Sequence, residues 1–517
     1  MTPTDTLPGA GSLPWLDLTV LLLYLVGTVA FGLWMGRRSG SPDQFMAAGG
    51  RLPGWAVGLS IFGTYVSSIS FLALPGKAVG GDWNAFVFSL TLPLAAWIAV
   101  RWFVPFYRGL GGVSAYEHLE ARFGPWARFY AAGCYLLTQV GRMGTIMYLV
   151  ALALAPLTGW SVPGLILVTG VAVVFYAMLG GITAVIWTDV VQSLVLIAGA
   201  LLSVGLLLFG MPEGPGQLFR IAAEHHKFSL GSWAPDFTIS SFWVVLLYGV
   251  FINLQNFGID QSYVQRYHTA RSPAAAARSV WTGALLYLPV SAFFLFIGTG
   301  LFAFYTAQPE RLGAGLSLAE TPDRVFPHFI VAEIPAGLTG LVIAAIFAAA
   351  QSTVSSSVNS AATLIGWDFY RRAKGGRVSE KAMMRVLRGA TLVMGVAGTA
   401  AALAMIRMKS ALDAWWDWAG VASGGMLGLF LLGLVSRRAR NVHAAVAVMV
   451  GLLVIVWMTL SSREWWPAAW EAVRCPLHSY MIVVVGTTTI LLAGFLLSIC
   501  GGAGSGNEPG GQSSAGG

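Results

Sequence analysis

The tightest constraint on the fold is a succession of apolar runs, each about 20 residues long, separated by polar stretches. A helix of that length crosses the hydrocarbon core. Lipid then requires every backbone polar group to be satisfied inside the segment. Only 10% of the residues are charged, against about 25% in soluble domains. The chain therefore reads as an all-α integral membrane protein, with about thirteen transmembrane helices. Their approximate limits are 16–36, 53–76, 83–106, 126–156, 161–180, 184–211, 241–266, 277–306, 335–370, 385–406, 411–436, 441–461 and 478–500. The first run ends in Arg37 and Arg38 and lacks a basic leader, so it reads as a span and not as a signal peptide.

Sidedness follows from the basic residues. Arg37/Arg38, Arg108/Arg122/Arg128, Arg266/Arg271/Arg278, the stretch Arg371 to Arg388 and Arg437/Arg438/Arg440 all fall on one face when the spans alternate. That face is expected to be cytoplasmic, with the N-terminus outside and the C-terminus inside. The same loops account for the net charge of +8, and no basic-aromatic surface points to nucleic acid. Cys134, Cys475 and Cys500 lie far apart and lack metal-ligand spacing. The outer loops 212–240 and 307–334 have room for short helices, and 501–517 is a Gly/Ser-rich flexible tail. The whole chain, 1–517, reads as one membrane domain, expected to act as a monomer in the cell (inner) membrane.

Two spans look interrupted. LSIFGTYVSSISFLALPGKAVGG carries Gly63 and a hydroxyl cluster in mid-span, then Pro75. VVLLYGVFINLQNFGIDQSYVQRY carries Asn253, Gln255, Asn256 and Gly258 at its centre. Small-residue packing faces account for one such span. Two of them, entering from opposite sides five spans apart, are the pointer to a transporter binding site.

The ninth span contains QSTVSSSVNSAAT, in which nine of thirteen residues carry a hydroxyl or amide. Ser352, Ser355, Ser356, Asn359 and Thr363 follow three- and four-residue steps and share one helix face, with Thr353 at its edge. Hydroxyls bonded back to carbonyls one turn earlier explain one or two of these. A row of them facing two broken helices suggests neutral oxygen ligands for a hard cation. Asp189 lies about 12 Å along a helix from Gly181. It is either an acid hydrogen-bonded near the interface or an anionic ligand for a second cation. Arg142 falls near mid-membrane and always keeps its proton. It either pairs with Asp189 or grips a substrate carboxylate with its fork. His118, His268, His328 and His443 read as solvated loop residues. WWDW at Trp415–Trp418 reads as an interfacial aromatic belt, and Asp413 and Asp417 are secondary candidates.

Over nearly its whole length the chain resembles the sodium:solute symporter family. GTYVSSISFLALPGKAVGGDWN, GGITAVIWTDVVQ, GIDQSYVQRYHTARS and AAAQSTVSSSVNSAATLIGWDFYRR carry the resemblance. It implies a LeuT-type fold of two inverted five-helix repeats, 53–211 and 241–436, with spans two and seven broken. The first helix, 16–36, and two C-terminal helices, 441–500, lie outside the repeats. Implied sodium ligands are the backbone oxygens of Gly63, Val66 and Ala349 and the hydroxyls of Ser352 and Thr353. A second sodium set is Asp189, Ser352, Ser355 and Ser356. In the branch that transports sialic acid, a mid-span arginine holds the substrate carboxylate, and Arg142 matches it. Tyr65, Ser67, Ser70, Asn84, Asn253 and Phe257 match other substrate contacts.

The expected activity is sodium-driven import of a small organic solute, such as a carboxylate-bearing sugar acid. Sodium is the coupling ion and no other cofactor is implied. Alternatives are a neutral sugar or polyol, a small monocarboxylate, or a membrane solute sensor. No H-E-x-x-H motif or nucleophile elbow suggests an enzyme.

Overall fold

A computed structural model of the chain describes residues 13–37, 39–407, 425–463 and 465–500. In order, the main helices are α1 (Trp15–Gly36), α2 (Gly54–Tyr65), α3 (Ser68–Gly80), α4 (Phe86–Gly109), α5 (Pro125–Thr158), α6 (Val162–Phe209), α7 (Phe242–Ile259) and α8 (Gln261–Thr269). They continue as α9 (Pro273–Ala307), α10 (Leu338–Arg371), α11 (Glu380–Met405), α12 (Gly425–Val435), α13 (Asn441–Ser461) and α14 (Met481–Cys500). Among the described residues, ten helices are long and apolar enough to cross a membrane, and the bent pair α2–α3 makes an eleventh. No strand forms there beyond the isolated bridge between Leu52 and Ala270. The string Trp415–Trp418, Asp413, Asp417, the tail 501–517 and the first part of the span expected at 411–436 lie outside the described residues.

A continuous helix of 48 residues would be about 72 Å long, more than twice the hydrocarbon thickness. Gly181 resolves this: at φ 55° and ψ −153° it breaks α6 into two arms, in a region of backbone space that only glycine enters freely. Two spans are expected on either side of that point. The hinge packs against α1, and a Cβ on Gly36 would lie 2.6 Å from the Cα of Gly180.

α10 is the axis of the molecule. It packs against α6, α1, α5, α11 and α2, and 89% of its apolar window is buried within the protein. This is why a hydroxyl-rich helix is tolerated: it faces protein on every side, and lipid nowhere along the row. Its start is held by α1. Oδ1 of the buried Asp17 accepts from Gly337 N and Gly340 N, each at 2.6 Å, and so satisfies two of the donors left open at a helix N-terminus.

Basic residues gather at one end. Arg108 Nη1 donates to the carbonyls of Tyr267 and Ala270 at 2.7 and 2.9 Å. Arg128 bridges Glu120 (2.7 Å) and Asp368, and Arg372 grips Glu120 from the other side. Hydrogen bonds from Arg372 and then Arg128 hold the Glu120 carboxyl below its ordinary range, against the opposing effect of desolvation. At the opposite end, loops 212–240 and 307–334 carry the short helices Pro215–Glu224 and Pro322–Ala332. There the buried Lys227 ammonium caps α3, donating to Val79 O at 2.7 Å and Gly81 O at 2.9 Å.

Three expectations change. The seventh span is helical through Asn253 and Gly258 and breaks at Asp260, where ψ swings to 121°. Amides and glycine do not stop a helix whose neighbours pack against it, whereas an Asp that caps the next helix does. His118, His268, His328 and His443 are half-buried and not freely solvated. Arg266 is not a loop residue: its side chain is fully buried.

Gly36→Ala should force α1 away from the Gly180 hinge. A loss of about 1–3 kcal/mol is expected from overpacking, read as a lower Tm in detergent. Gly27→Ala, where a Cβ meets nothing within 4 Å, should leave Tm unchanged or raise it.

Candidate ion and solute site between the broken helices

α2 ends at Tyr65 because Val66 and Ser67 are extended, at ψ 110° and 165°. Ser67 then caps α3 through its hydroxyl, which accepts from Ser70 N at 3.4 Å. With these two residues out of helical register, the carbonyls of Gly63 and Val66 lose their usual partners one turn on. α10 supplies hydroxyls instead. Ser352 Oγ donates to Gly63 O at 2.6 Å and lies 3.4 Å from Ala349 O. Thr353 Oγ1 lies 3.1 Å from Ala349 O and 3.5 Å from Val66 O. Five uncharged oxygens, all on buried residues, thus converge at one point. Their donor chemistry fits a hard cation, which would turn the hydroxyl hydrogens outward and take the lone pairs. Ligation by neutral oxygen also spares the site the penalty of an unpaired buried carboxylate.

Deeper along α10 the arrangement is ionic. Asp189 Oδ2 accepts from Ser60 Oγ at 2.5 Å and from Arg266 Nη2 at 2.9 Å. Arg266 also donates to Ser60 Oγ (2.8 Å), Ser262 O (2.7 Å) and Ser356 Oγ (2.6 Å). Both charged side chains are fully buried. The partner of Asp189 is therefore Arg266, in place of the pairing with Arg142 considered from sequence. Asp189 Oδ1 makes no hydrogen bond, which leaves one anionic oxygen open beside the row. Ser355 bonds back to Ser352 O at 3.0 Å, and Ser356 lies 2.9 Å from Thr64 Oγ1. Asn359 and Thr363 belong to a separate structural knot, both accepting from Gln265 Nε2.

Arg142 projects from α5 to the break in α2, and its hydrogen bond to the chain goes to Thr64 O at 3.3 Å. It lies within electrostatic reach of Asp260, Tyr135 and Tyr263. Asp260 caps α8, accepting from Ser262 N at 2.7 Å. Tyr65 donates its hydroxyl to Asn253 Oδ1 and stacks on Phe257 at 6.4 Å. Ser70 sits beside Tyr287. Asn84 stands apart from this group. Its amide donates to Leu230 O at 3.0 Å and accepts from Ser240 at 3.0 Å, tying α4 to the loop above it. The structure thus brings Tyr65, Ser67, Ser70 and Arg142 to the α2 break, sets Asn253 and Phe257 of α7 against Tyr65, and leaves Asn84 apart.

The family model for the sodium:solute symporter family matches residues 45–451. The chain belongs to that family. The sodium/sialic acid symporter SiaT of Proteus mirabilis is 34% identical over 484 residues, 93% of this chain and 94% of that protein. The sodium/sialic acid symporter NanT of Aliivibrio fischeri is 34% identical over 491 residues, 94% of each. A Na+-coupled sialic acid symporter, solved in a substrate-bound outward-open state with a novel Na+ site, superposes with a TM-score of 0.85. It is 33% identical, over 94% of this chain and 98% of that one. A nucleobase-cation-symport-1 family transporter at 17% identity and a TM-score of 0.55 shares the fold alone. The symporter is thus a multi-pass membrane transporter and not an enzyme, with Na+ as its coupling ion.

Arg266 was invisible to sequence reasoning because it lies among other basic residues near a span end. Its spacing from Ser262, one helical turn, was the available signal. Arg266→Met should cost about 3–5 kcal/mol of stability, because it strands the Asp189 charge. Adding Asp189→Asn should recover much of that loss, as measured by thermal unfolding of the single and double variants.

Proposed function

We propose that the symporter imports a carboxylate-bearing sugar acid, such as sialic acid, together with sodium. The observation that carries this reading is Arg142: a permanent cation at the α2 break with most of its donors unspent. Asp260 is within electrostatic reach but takes none of these donors, and a solute carboxylate matches the free fork. Such a group disfavours neutral sugars and polyols. The sialic acid transport of the two relatives agrees with it.

In this reading Gly63, Val66, Ala349, Ser352 and Thr353 hold one sodium. Asp189 with Ser352, Ser355 and Ser356 holds a second, supported by the open Asp189 Oδ1. We place Tyr65, Ser67, Ser70, Arg142, Asn253 and Phe257 around the solute. The fold is taken as thirteen spans, with inverted repeats at 53–211 and 241–436, a first helix at 16–36 and C-terminal helices at 441–500. The N-terminus lies outside and the C-terminus inside the inner membrane. Every proposed ligand comes from one chain, so a monomer suffices. Sodium braces α2 against α10, the solute enters between the breaks, and rocking of the two halves releases both inward. Sodium can drive this because it prefers one of the two arrangements.

Sodium at a hundred times its Kd should stabilise the wild type by about 2.7 kcal/mol. Ser352→Ala with Thr353→Ala should abolish that shift and sodium-dependent uptake together. A thermal-shift titration with sodium, using potassium as the control, checks this. Uptake in proteoliposomes should rise with sodium at a Hill coefficient near two and fall to near one in Asp189→Asn. An unaltered coefficient would remove Asp189 from the ion pathway. Arg142→Ala should end anion uptake while the sodium-induced thermal shift persists.

A further inference from the structure

Tyr65 is the last residue of α2, and its ring fills the space between the two breaks. It lies edge-on to Tyr287 at 4.5 Å and to Tyr263 at 6.2 Å, stacks on Phe257 at 6.4 Å, and meets Phe88 at 6.5 Å. Its hydroxyl donates to Asn253 Oδ1. Asn253 is completely buried. Its amide nitrogen is spent on α4, donating to Thr91 Oγ1 at 2.8 Å and to Phe88 O at 3.3 Å. The amide is therefore fixed with its oxygen toward the break, where it offers an acceptor and no donor. Arg142 offers donors and no acceptor. A solute that satisfies both must bring an anionic acceptor and, elsewhere on its body, an O–H or N–H.

We propose that Tyr65 is a self-ligand of the solute site. Its hydroxyl holds Asn253 Oδ1 in place of the cargo's own donor, and loading exchanges the phenol for a hydroxyl or amide N–H of the solute. The proposal rests on the symport reading and narrows it. Within the sugar acids it assigns one solute O–H or N–H to Asn253 Oδ1, and ring-sized carboxylates without such a donor are rejected. A donor-free acid that displaces the ring leaves a buried carbonyl unpaired, and such discrimination by an unpaired polar group is steep.

The exchange gives Tyr65→Phe an unusual signature. The ring and its packing remain, and only the competing donor is lost. Binding of a donor-bearing acid should therefore tighten by about fivefold, the worth of an ordinary hydrogen bond. The test uses full-length protein in detergent with saturating sodium. The probes are N-acetylneuraminate, quinate and cyclohexanecarboxylate, the last two being one ring acid with and without hydroxyls. N-acetylneuraminate and quinate should bind the wild type and bind Tyr65→Phe more tightly. Cyclohexanecarboxylate should bind neither protein well. Without solute, Tyr65→Phe should melt below the wild type, and saturating N-acetylneuraminate should close that gap, since the cargo then pairs Asn253. A tyrosine with only a packing role would keep the deficit. Weaker or unchanged acid binding by Tyr65→Phe overturns the proposal, as does equal binding of quinate and cyclohexanecarboxylate. If sodium alone still raises the wild-type Tm but no donor-bearing probe binds, the cargo class is wrong and the symport reading stands. If sodium has no effect on any variant, both fall.

Discussion

A transmembrane helix can carry a row of oxygens only if lipid never meets it, and this single requirement organises the symporter. α10 presents Ser352, Thr353, Ser355, Ser356, Asn359, Ser360 and Thr363, all buried. α6, α1, α5 and α11 enclose it, so each hydroxyl must find a partner inside the protein. Some find carbonyls on their own helix, as Ser355 does. Others meet groups that broken helices release, as Ser352 meets Gly63 O. The breaks and the polar helix therefore stabilise each other. A break in α2 exposed to lipid would leave carbonyls unsatisfied, and a hydroxyl row without a facing break would fold back on itself.

The breaks are built from ordinary capping chemistry. Ser67 caps α3 and Asp260 caps α8, each accepting from a backbone N–H two or three residues on. A capped half-helix has a defined start, so the gap before it is a fixed feature and not a frayed turn. Fixed gaps can place Thr64 and Asp260 around Arg142 with the accuracy that recognition of a small solute demands. The ends of the bundle are secured differently, by charge: Arg128, Glu120, Asp368 and Arg372 at one end, Lys227 on the carbonyls of α3 at the other.

Apolar runs in the sequence located the spans, since hydrocarbon thickness fixes their length. The break near Gly63 was legible because a glycine beside clustered hydroxyls weakens a helix in mid-span and supplies polar groups that lipid cannot pair. The position of the second break was not, since Gly258 is a weaker helix former than Asp260, and the capping role of Asp260 depends on the placement of Ser262 N. The buried Arg266–Asp189 pair escaped notice because hydropathy assigns a basic residue near a span end to the interface. Only packing reveals that α8 is enclosed. The docking of Asn84 is hidden from sequence for a related reason: its partners Leu230 and Ser240 lie about 150 positions away in a loop that sequence cannot dock.

Charge balance ties these parts to coupling. Four charged groups meet at the breaks and the hydroxyl row: Arg142, Asp260, Asp189 and Arg266. Their formal charges sum to zero, so the region of the breaks and the hydroxyl row is balanced when empty. A solute carboxylate alone would add one negative charge to a low-dielectric region, and a sodium ion alone would add one positive charge; each is costly unpaired. Bound together they restore neutrality, so each raises the affinity for the other by the same factor. Under the proposed reading, co-binding is thus favoured by the charge balance of the interior, without direct contact between ion and solute. Moving that neutral pair harvests only the sodium concentration gradient. A second sodium at Asp189 would give the loaded form one net positive charge, worth about 2.3 kcal/mol per 100 mV of inside-negative potential. Arg266 then acquires a clear role. By pairing with Asp189 it would, if an ion also binds there, let the transporter return empty and uncharged, so that the potential assists the loaded step without opposing the return.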